Sequence, residues 1–323
     1  MKYQLGTVTR IGNRKENQDS YGSFSNDEAL VMVVADGMGG HLGGLLASQT
    51  VIRCVASSFE KEQGLIKNPV AFLQKLVLDS HAEINRVGLR QRPPIQPRTT
   101  AVICLVQAGM AWWAHVGDSR LYLFRQGELM FRTRDHSRIE ELMQEGSLTA
   151  QQALTHPERH RVTRCLGGLE AIKSISVSKA VPLKMGDMVL LCSDGLWSAM
   201  GDQKIEALVN GYYVDDMASK LASEAEKQSA PRADNITMIL MRWLSASQKI
   251  LPALKKQAAV SVKNPTVLRV PVTEKSPTTG KASPPAEDKS PTTDQNPAKS
   301  KDDVSDAVDA LKAIFDEYKK ELK

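Results

Sequence analysis

Long stretches of this chain alternate between unbroken apolar runs and polar punctuation. The runs 29–35 (ALVMVVA), 100–107, 110–116, 120–124, 187–192 and 236–242 are rich in Val, Ile, Leu and aromatic residues and are bounded by Gly or Asp. Runs of this length read as buried β-strands. Only Ala108 and Gly109 separate the second run from the third, which predicts a tight antiparallel hairpin. Apolar residues recur at helical spacing from Leu45 to about Gln63, from Pro69 to about Arg90 and from Val214 to about Gln228. Pro69 suits a first helical position, and Phe72, Leu76, His81 and Ile84 share much of one face. Strands in consecutive pairs with long helices between them predict an α+β layered fold rather than the alternation of a parallel sheet.

Two further stretches stand apart. From Ser137 to Gly168 the chain turns polar, with a helix-like piece, IEELMQEGSLTAQQAL, followed by HPERHRVTRCLGG, and reads as a functional flap beside a strand end. After residue 244 the pattern dissolves. Seven of the 15 prolines fall between Asn264 and Ser300, and no aromatic residue occurs from Leu244 to Ile314. Such a composition cannot bury enough apolar surface to offset the entropy of ordering it. The expected organisation is a catalytic-sized domain over 1–244, a Pro/Ser/Thr/Lys-rich disordered linker over 245–303 and an amphipathic helix over 304–323. In that last segment Val304, Ala307, Val308, Leu311, Ile314, Phe315, Tyr318 and Leu322 recur at three- and four-residue spacing. It offers a face for a protein partner.

Charge and composition narrow the partners. The formal net charge is +5, but residues 244–323 hold 14 of the 42 Lys+Arg and 11 of the 37 Asp+Glu, leaving 28 against 26 for the rest. No basic stripe stands out, so nucleic acid is not an expected partner. The N-terminus lacks an apolar run of signal-peptide length and no run could span a bilayer. A cytoplasmic protein with no membrane partner and a monomeric catalytic domain is expected. Cys54, Cys104, Cys165 and Cys192 are far apart among apolar neighbours and read as reduced core residues.

Four aspartates share one setting. Asp36 follows ALVMVVA, Asp118 follows AWWAHVG, Asp194 follows MVLLCS, and Asp234 precedes ITMILMR; Asp19 sits in NQD near the N-terminus. Strand ends hold loops on a rigid sheet, which suits groups that must be fixed for chemistry. A single aspartate there is an ordinary turn residue. Several carboxylates brought together would repel one another, and hard oxygen ligands call for Mg²⁺ or Mn²⁺. No His pair at zinc spacing and no HExxH occurs.

In order along residues 3–243 stand TRIGNRKENQDS, VVADGMGGH, TTAV, AHVGDSRLYLF, RDHS, HPERHRVTRCLGG, GDMVLLCSDGLW and ADNITMIL. This series resembles the bacterial metal-dependent serine/threonine protein phosphatases of type 2C. The resemblance implies a four-layer α-β-β-α sandwich of two antiparallel sheets flanked by helices, with two Mn²⁺ or Mg²⁺ ions at one end. It implies that Asp36 bridges both ions, that the Gly37 carbonyl binds one, and that Asp194 and Asp234 complete the other. Asp19 is similar to the acid that contacts a metal or its water, and Asp118 to the ligand of a third, weaker ion. Arg14 matches a phosphate-binding arginine, a role that a guanidinium fork suits. The resemblance also implies that the two ions would supply a water nucleophile of lowered pKa for in-line attack on phosphorus.

The chain departs from the family pattern at several positions. Met38 stands where eukaryotic members carry a histidine proposed as general acid, which leaves His41 or a metal-bound water for that task. Gln18 replaces a common Glu, Arg98 a small residue, and His160 a common Asn. The implied activity is hydrolysis of phosphoserine and phosphothreonine in proteins, opposing bacterial kinases. The alternative is a catalytically weak regulatory protein that docks a partner through its C-terminal helix.

Overall fold

A strand that is apolar at every position is satisfied only when both of its faces are covered, and in the computed structural model each such run is sandwiched in this way. The structure describes residues 1–38, 43–153, 156–159, 161–168, 170–172, 174–211, 213–245 and 267–271. In β3 (Ala29–Met38), Val31 and Val33 pack against Val51, Val55, Leu73 and Leu76 of α1 (Gly43–Phe59) and α2 (Pro69–Leu89). The alternate residues Leu30, Met32 and Val34 share a second core with Leu121, Leu123 and Leu191 of the opposing sheet. Those residues belong to β7 (Arg120–Arg125) and β12 (Met188–Cys192), whose other face presents Tyr122, Phe124 and Leu190 to Leu196, Ile205 and Leu221. The last three come from α5 (Asp194–Leu208) and α6 (Val214–Ser229). Period-two side-chain alternation thus yields three apolar interfaces and four layers, α-β-β-α.

One sheet runs β1 (Lys2–Arg10), β13 (Ile236–Ser245), β12, β7, β8 (Glu128–Arg132). The other runs β14 (Val267–Pro271), β10 (Ser174–Ser178), β6 (Met110–Val116), β5 (Ala101–Gln107), β3, β4 (Arg98–Thr99), β9 (Leu166–Gly167). Strand β2 (Asp19–Ser25) pairs with β3, and β11 (Val181–Pro182) with β6. Among the described residues the pairings between these strands are antiparallel, as the α+β reading requires. The β5–β6 hairpin turns through Ala108 and Gly109 at φ 50° and 78°, the left-handed pair that matches strand twist in a two-residue turn.

The strands β1, β2, β8 and β10 lie outside the predicted apolar runs, and three further differences concern the flap, a helix and the linker. The flap's helix-like piece is broken into α3 (Arg138–Gln144) and α4 (Ala150–Ala153), with Gly146 at φ 73° between them. Helix α5 begins at Asp194 itself, where the pattern predicts no helix. Five residues inside the span expected to be a linker are a strand: Val267–Pro271 pairs antiparallel with β10 in unbroken register, Ile175 opposite Val270 and Val177 opposite Leu268. Backbone hydrogen bonding to an open sheet edge orders this stretch although its composition offers little core. The rest of 246–303, and the helix expected over 304–323, lie outside the described residues. Among the described residues no helix is long and apolar enough to cross a membrane, and all four cysteines are free.

Candidate active site

The layered packing brings the ends of β3, β6 and β12 and the starts of β2 and β13 to one cleft. Its lining includes Arg14, Asp36, Gly37, Asp118, Asp194 and Asp234. Asp19 and Asp36 are directly opposed in the β2–β3 register, so their side chains leave the sheet on the same side. Like charges placed this way are destabilising without a compensating cation.

Main-chain and hydroxyl contacts hold the Asp36 backbone and the Asp19 carboxylate. Asp36 N–H donates to Thr100 Oγ1 at 3.0 Å, while Thr99 Oγ1 and Thr100 N–H donate to the Asp36 carbonyl at 2.7 and 2.8 Å. Thr100 Oγ1 also shares a 2.6 Å hydrogen bond with Ser119 Oγ, beside Asp118. Gly37 has no room for a side chain, because a Cβ there would lie 2.2 Å from the Gly44 carbonyl oxygen. Gly117 holds φ 100°, open to glycine but costly for other residues, and so turns the chain into Asp118. Ser193 Oγ donates to Asp19 Oδ2 at 2.7 Å and accepts from Thr237 N–H at 3.0 Å, tying β2 to β12 and β13. Asn235 Oδ1 accepts from Gln18 N–H at 2.9 Å, and its Nδ2 donates to the carbonyls of Ile11 and Glu16, which staples the Arg14 loop to β13.

The electrostatics is that of a site short of positive charge. Burial, opposed by hydrogen bonds from Ser193 and Thr237 and reinforced by the charges of Asp194 and Asp234, raises the Asp19 pKa to about 7. Burial and then the charges of Asp19, Asp194 and Asp118 hold Asp36 well above the ordinary carboxylate range, and a hydrogen bond with Asp194 adds to this. Asp118 is raised by burial and then by Asp194 and Asp135. Asp19 Oδ1 is buried without a hydrogen-bond partner. An orphaned carboxylate oxygen, a hydrogen-bonded Asp36–Asp194 pair and an all-oxygen donor set fit hard divalent cations. Among the described residues no three His, Cys, Asp or Glu side chains form a closed cage; the donors are spread along the cleft.

Asp234 is engaged differently. Its Oδ2 accepts from Arg14 Nη2 at 2.7 Å and its Oδ1 from the Asn235 N–H at 2.9 Å. Arg14, expected on phosphate, here lies in the cleft paired with an expected metal ligand. Met38 lines the cleft at the end of β3, whereas His41 and His160 lie outside the described residues. Two other histidines are structural: His115 and His136 stack at 4.6 Å, His115 Nε2 bonding the Arg134 carbonyl and His136 Nδ1 accepting from Gly117 N–H. Pattern reading missed the bracing groups Thr99, Thr100, Ser193 and Asn235. Their signal is adjacency, since each flanks a cleft aspartate in sequence or across a strand pair.

An α-β-β-α sandwich with a carboxylate cleft at one end of both sheets defines a class of metal-dependent hydrolase fold. The sequence signature described as Protein phosphatase 2C matches residues 8–245, and the chain belongs to that family. It is 30% identical over 232 residues to the serine/threonine phosphatase stp of Listeria monocytogenes serotype 4b (strain F2365), covering 71% of this chain and 90% of that protein. Its fold superposes on the serine/threonine phosphatase Stp1 of Staphylococcus aureus with a TM-score of 0.70 at 28% identity, over 76% of this chain and 96% of the other. The catalytic domain of the serine/threonine protein phosphatase PstP, solved in complex with two manganese ions, matches with a TM-score of 0.64 at 28% identity, over 75% and 99% of the two chains.

Proposed function

We propose that this chain hydrolyses phosphoserine and phosphothreonine in proteins, opposing serine/threonine kinases in a bacterial cytoplasm. The observation that carries the reading is the meeting of Asp36, Asp118, Asp194 and Asp234, from separate strand ends, in one cleft, with Asp19 buried directly opposite Asp36 across the β2–β3 pair. Further support comes from the PstP catalytic domain and its two manganese ions.

Two Mn²⁺ or Mg²⁺ ions, when bound, supply Lewis-acid charge and a nucleophilic water at neutral pH. Asp36, the Gly37 carbonyl, Asp194 and Asp234 are the residues that would hold them, with Asp19 acting through a metal-bound water and Asp118 serving a third. Thr99 and Thr100 keep the Asp36 backbone in place, and Ser193 orients Asp19. Arg14 binds the phosphoryl oxygens. Its pair with Asp234 is solvent-exposed on both sides, 59% and 36%, and so is weak enough for a phosphoryl dianion to displace. Met38 cannot donate a proton to the leaving alkoxide, which leaves that task to His41 or to water. With the carboxylate set intact, the alternative of a catalytically weak regulator is not retained.

The test is hydrolysis of an aryl phosphate and of phosphoserine and phosphothreonine peptides. Activity is expected with Mn²⁺ and none with excess EDTA; robust turnover in chelator removes the reading. For residues 304–323, the face of Leu311, Ile314, Phe315, Tyr318 and Leu322, with acids before it and lysines after it, supports docking to a partner protein in trans. Loss of a captured partner on deleting 304–323, with aryl phosphate turnover unchanged, is the expected outcome. An unchanged set of partners refutes it.

A further inference from the structure

Trp197 takes no part in the chemistry described above, yet it holds Asp118. Its indole N–H donates to the Asp118 carbonyl at 3.0 Å, and its ring lines the cleft. The guanidinium carbon of Arg120 lies 3.5 Å from the ring centroid. Arg120 is itself pinned: Nε and Nη2 donate to the two Asp135 oxygens at 2.8 and 2.7 Å, and Nη1 to Tyr122 Oη at 3.0 Å and Asp202 Oδ1 at 3.1 Å. A planar guanidinium can stack on an aromatic face while its edge donors stay bonded, so ring and cation form one rigid plate. The plate joins three segments that sequence keeps apart. These are the β6–β7 turn with Asp118, the first turn of α5 with Asp194, and the stretch Asp135–Ser137 that leads into α3.

When both are ionised, Asp118 and Asp194 repel one another across facing segments, which would separate them if unrestrained. The indole N–H ties the main chain of one to the helix that bears the other. We infer that Trp197 is a positioning residue that sets the spacing of Asp118 from Asp194, and through it the affinity of the Asp118 side of the cleft for a divalent cation. The inference deepens the metal-dependent reading above and rests on it.

Mn²⁺ titration by isothermal calorimetry on the full chain tests it. Wild type should show a weaker binding step that Asp118→Asn abolishes. Trp197→Phe keeps an aromatic ring but loses the N–H together with the five-membered ring that carries it; the lost hydrogen bond should weaken that same step about three- to tenfold, the range of one net hydrogen bond, while tighter steps stay within about twofold. Trp197→Phe combined with Asp118→Asn should bind Mn²⁺ like Asp118→Asn alone, because the indole acts through Asp118. Trp243→Phe, a ring change in the core between the sheets, serves as control and should shift thermal stability without moving any Mn²⁺ step. Wild-type affinities throughout in Trp197→Phe, a uniform loss at every step together with stability, or the absence of any Asp118-dependent step overturns the inference. Failure of the phosphatase reading shows separately, as a wild-type protein that binds Mn²⁺ but does not turn over phosphoester.

Discussion

Replacing Asp19 with Asn in the metal-stripped protein should flatten a pH dependence that the buried carboxylates impose on folding. Asp19 ionises with a pKa of about 7 in the folded chain against an ordinary 3.8. Between those values the folded state retains a proton that the unfolded state releases, so the Asp19 contribution to stability is intact below pH 3.8 and is lost as pH rises toward 7. A shift of about three units at ~1.36 kcal/mol each corresponds to ~4 kcal/mol in full, of which ~2.5 kcal/mol falls between pH 5 and 7.5. Asn keeps an oxygen for the Ser193 hydroxyl and never ionises. Urea unfolding in EDTA, followed by tryptophan fluorescence at pH 5 and 7.5, should show wild type less stable at the higher pH. The difference should shrink by roughly 2.5 kcal/mol in Asp19→Asn, leaving the parts that belong to Asp36 and Asp118, which have the same sign. Saturating Mn²⁺ should reverse the wild-type trend, because cations compete with protons for the same oxygens. Wild-type stability that rises from pH 5 to 7.5 in chelator, or an Asp19→Asn slope equal to wild type, would refute the reasoning.

Asp36→Asn and Asp194→Asn should each lower aryl phosphate turnover by at least ~10³-fold at saturating Mn²⁺ with the circular dichroism spectrum unchanged, as steady-state kinetics can check. Thr100→Val removes the acceptor for the Asp36 N–H and the partner of Ser119 at nearly constant volume. It should cost ~1–3 kcal/mol in denaturant unfolding, and Thr100→Ser should recover most of that. Arg125 clasps Asp187 through two hydrogen bonds of 2.8 and 2.7 Å, and Asp187 is only 1% exposed. Arg125→Ala should therefore destabilise by ~3–5 kcal/mol, whereas Arg125→Ala with Asp187→Ala together should cost less than Arg125→Ala alone, measured in a double-mutant cycle.

The helices α1, α2 and α6 were legible from their apolar period, and the strands that were legible are long runs buried on both faces. β3, β5, β6, β12 and β13 read as unbroken apolar runs because a helix layer and a second sheet both cover them. β1, β2 and β8 keep partly exposed faces, so polar residues interrupt their pattern. Gly6 and Gly22 weaken it further, standing where the Val214 backbone and the Phe24 ring leave no room for a Cβ. α5 escaped notice because its chain leaves helical geometry at Gly201, which cuts short the run that periodicity needs. At the site, the aspartates were legible from their place at strand ends. The groups that hold them were not. Ser193 meets Asp19 across 174 positions and Asn235 meets Gln18 across 217, so their partners follow from sheet order and not from any local pattern. Arg14 shows the same limit, since its motif suggested phosphate but not the hydrogen bond that its Nη2 donates to Asp234.

The family signature ends at residue 245, but the second sheet does not. Its outermost strand is β14, supplied by Val267–Pro271 across an intervening stretch of chain. A protein cut at the signature's boundary would therefore carry every cleft residue and still end on a raw border: the amides and carbonyls of β10, relieved of their partner, would face water as a template for any extended chain. The nearest such chain in a concentrated solution is the same strand on another molecule. Shortening this protein to its recognisable domain thus creates a self-adhesive seam, and the few residues of β14 act as the selvedge that keeps the sheet from being stitched to its neighbours.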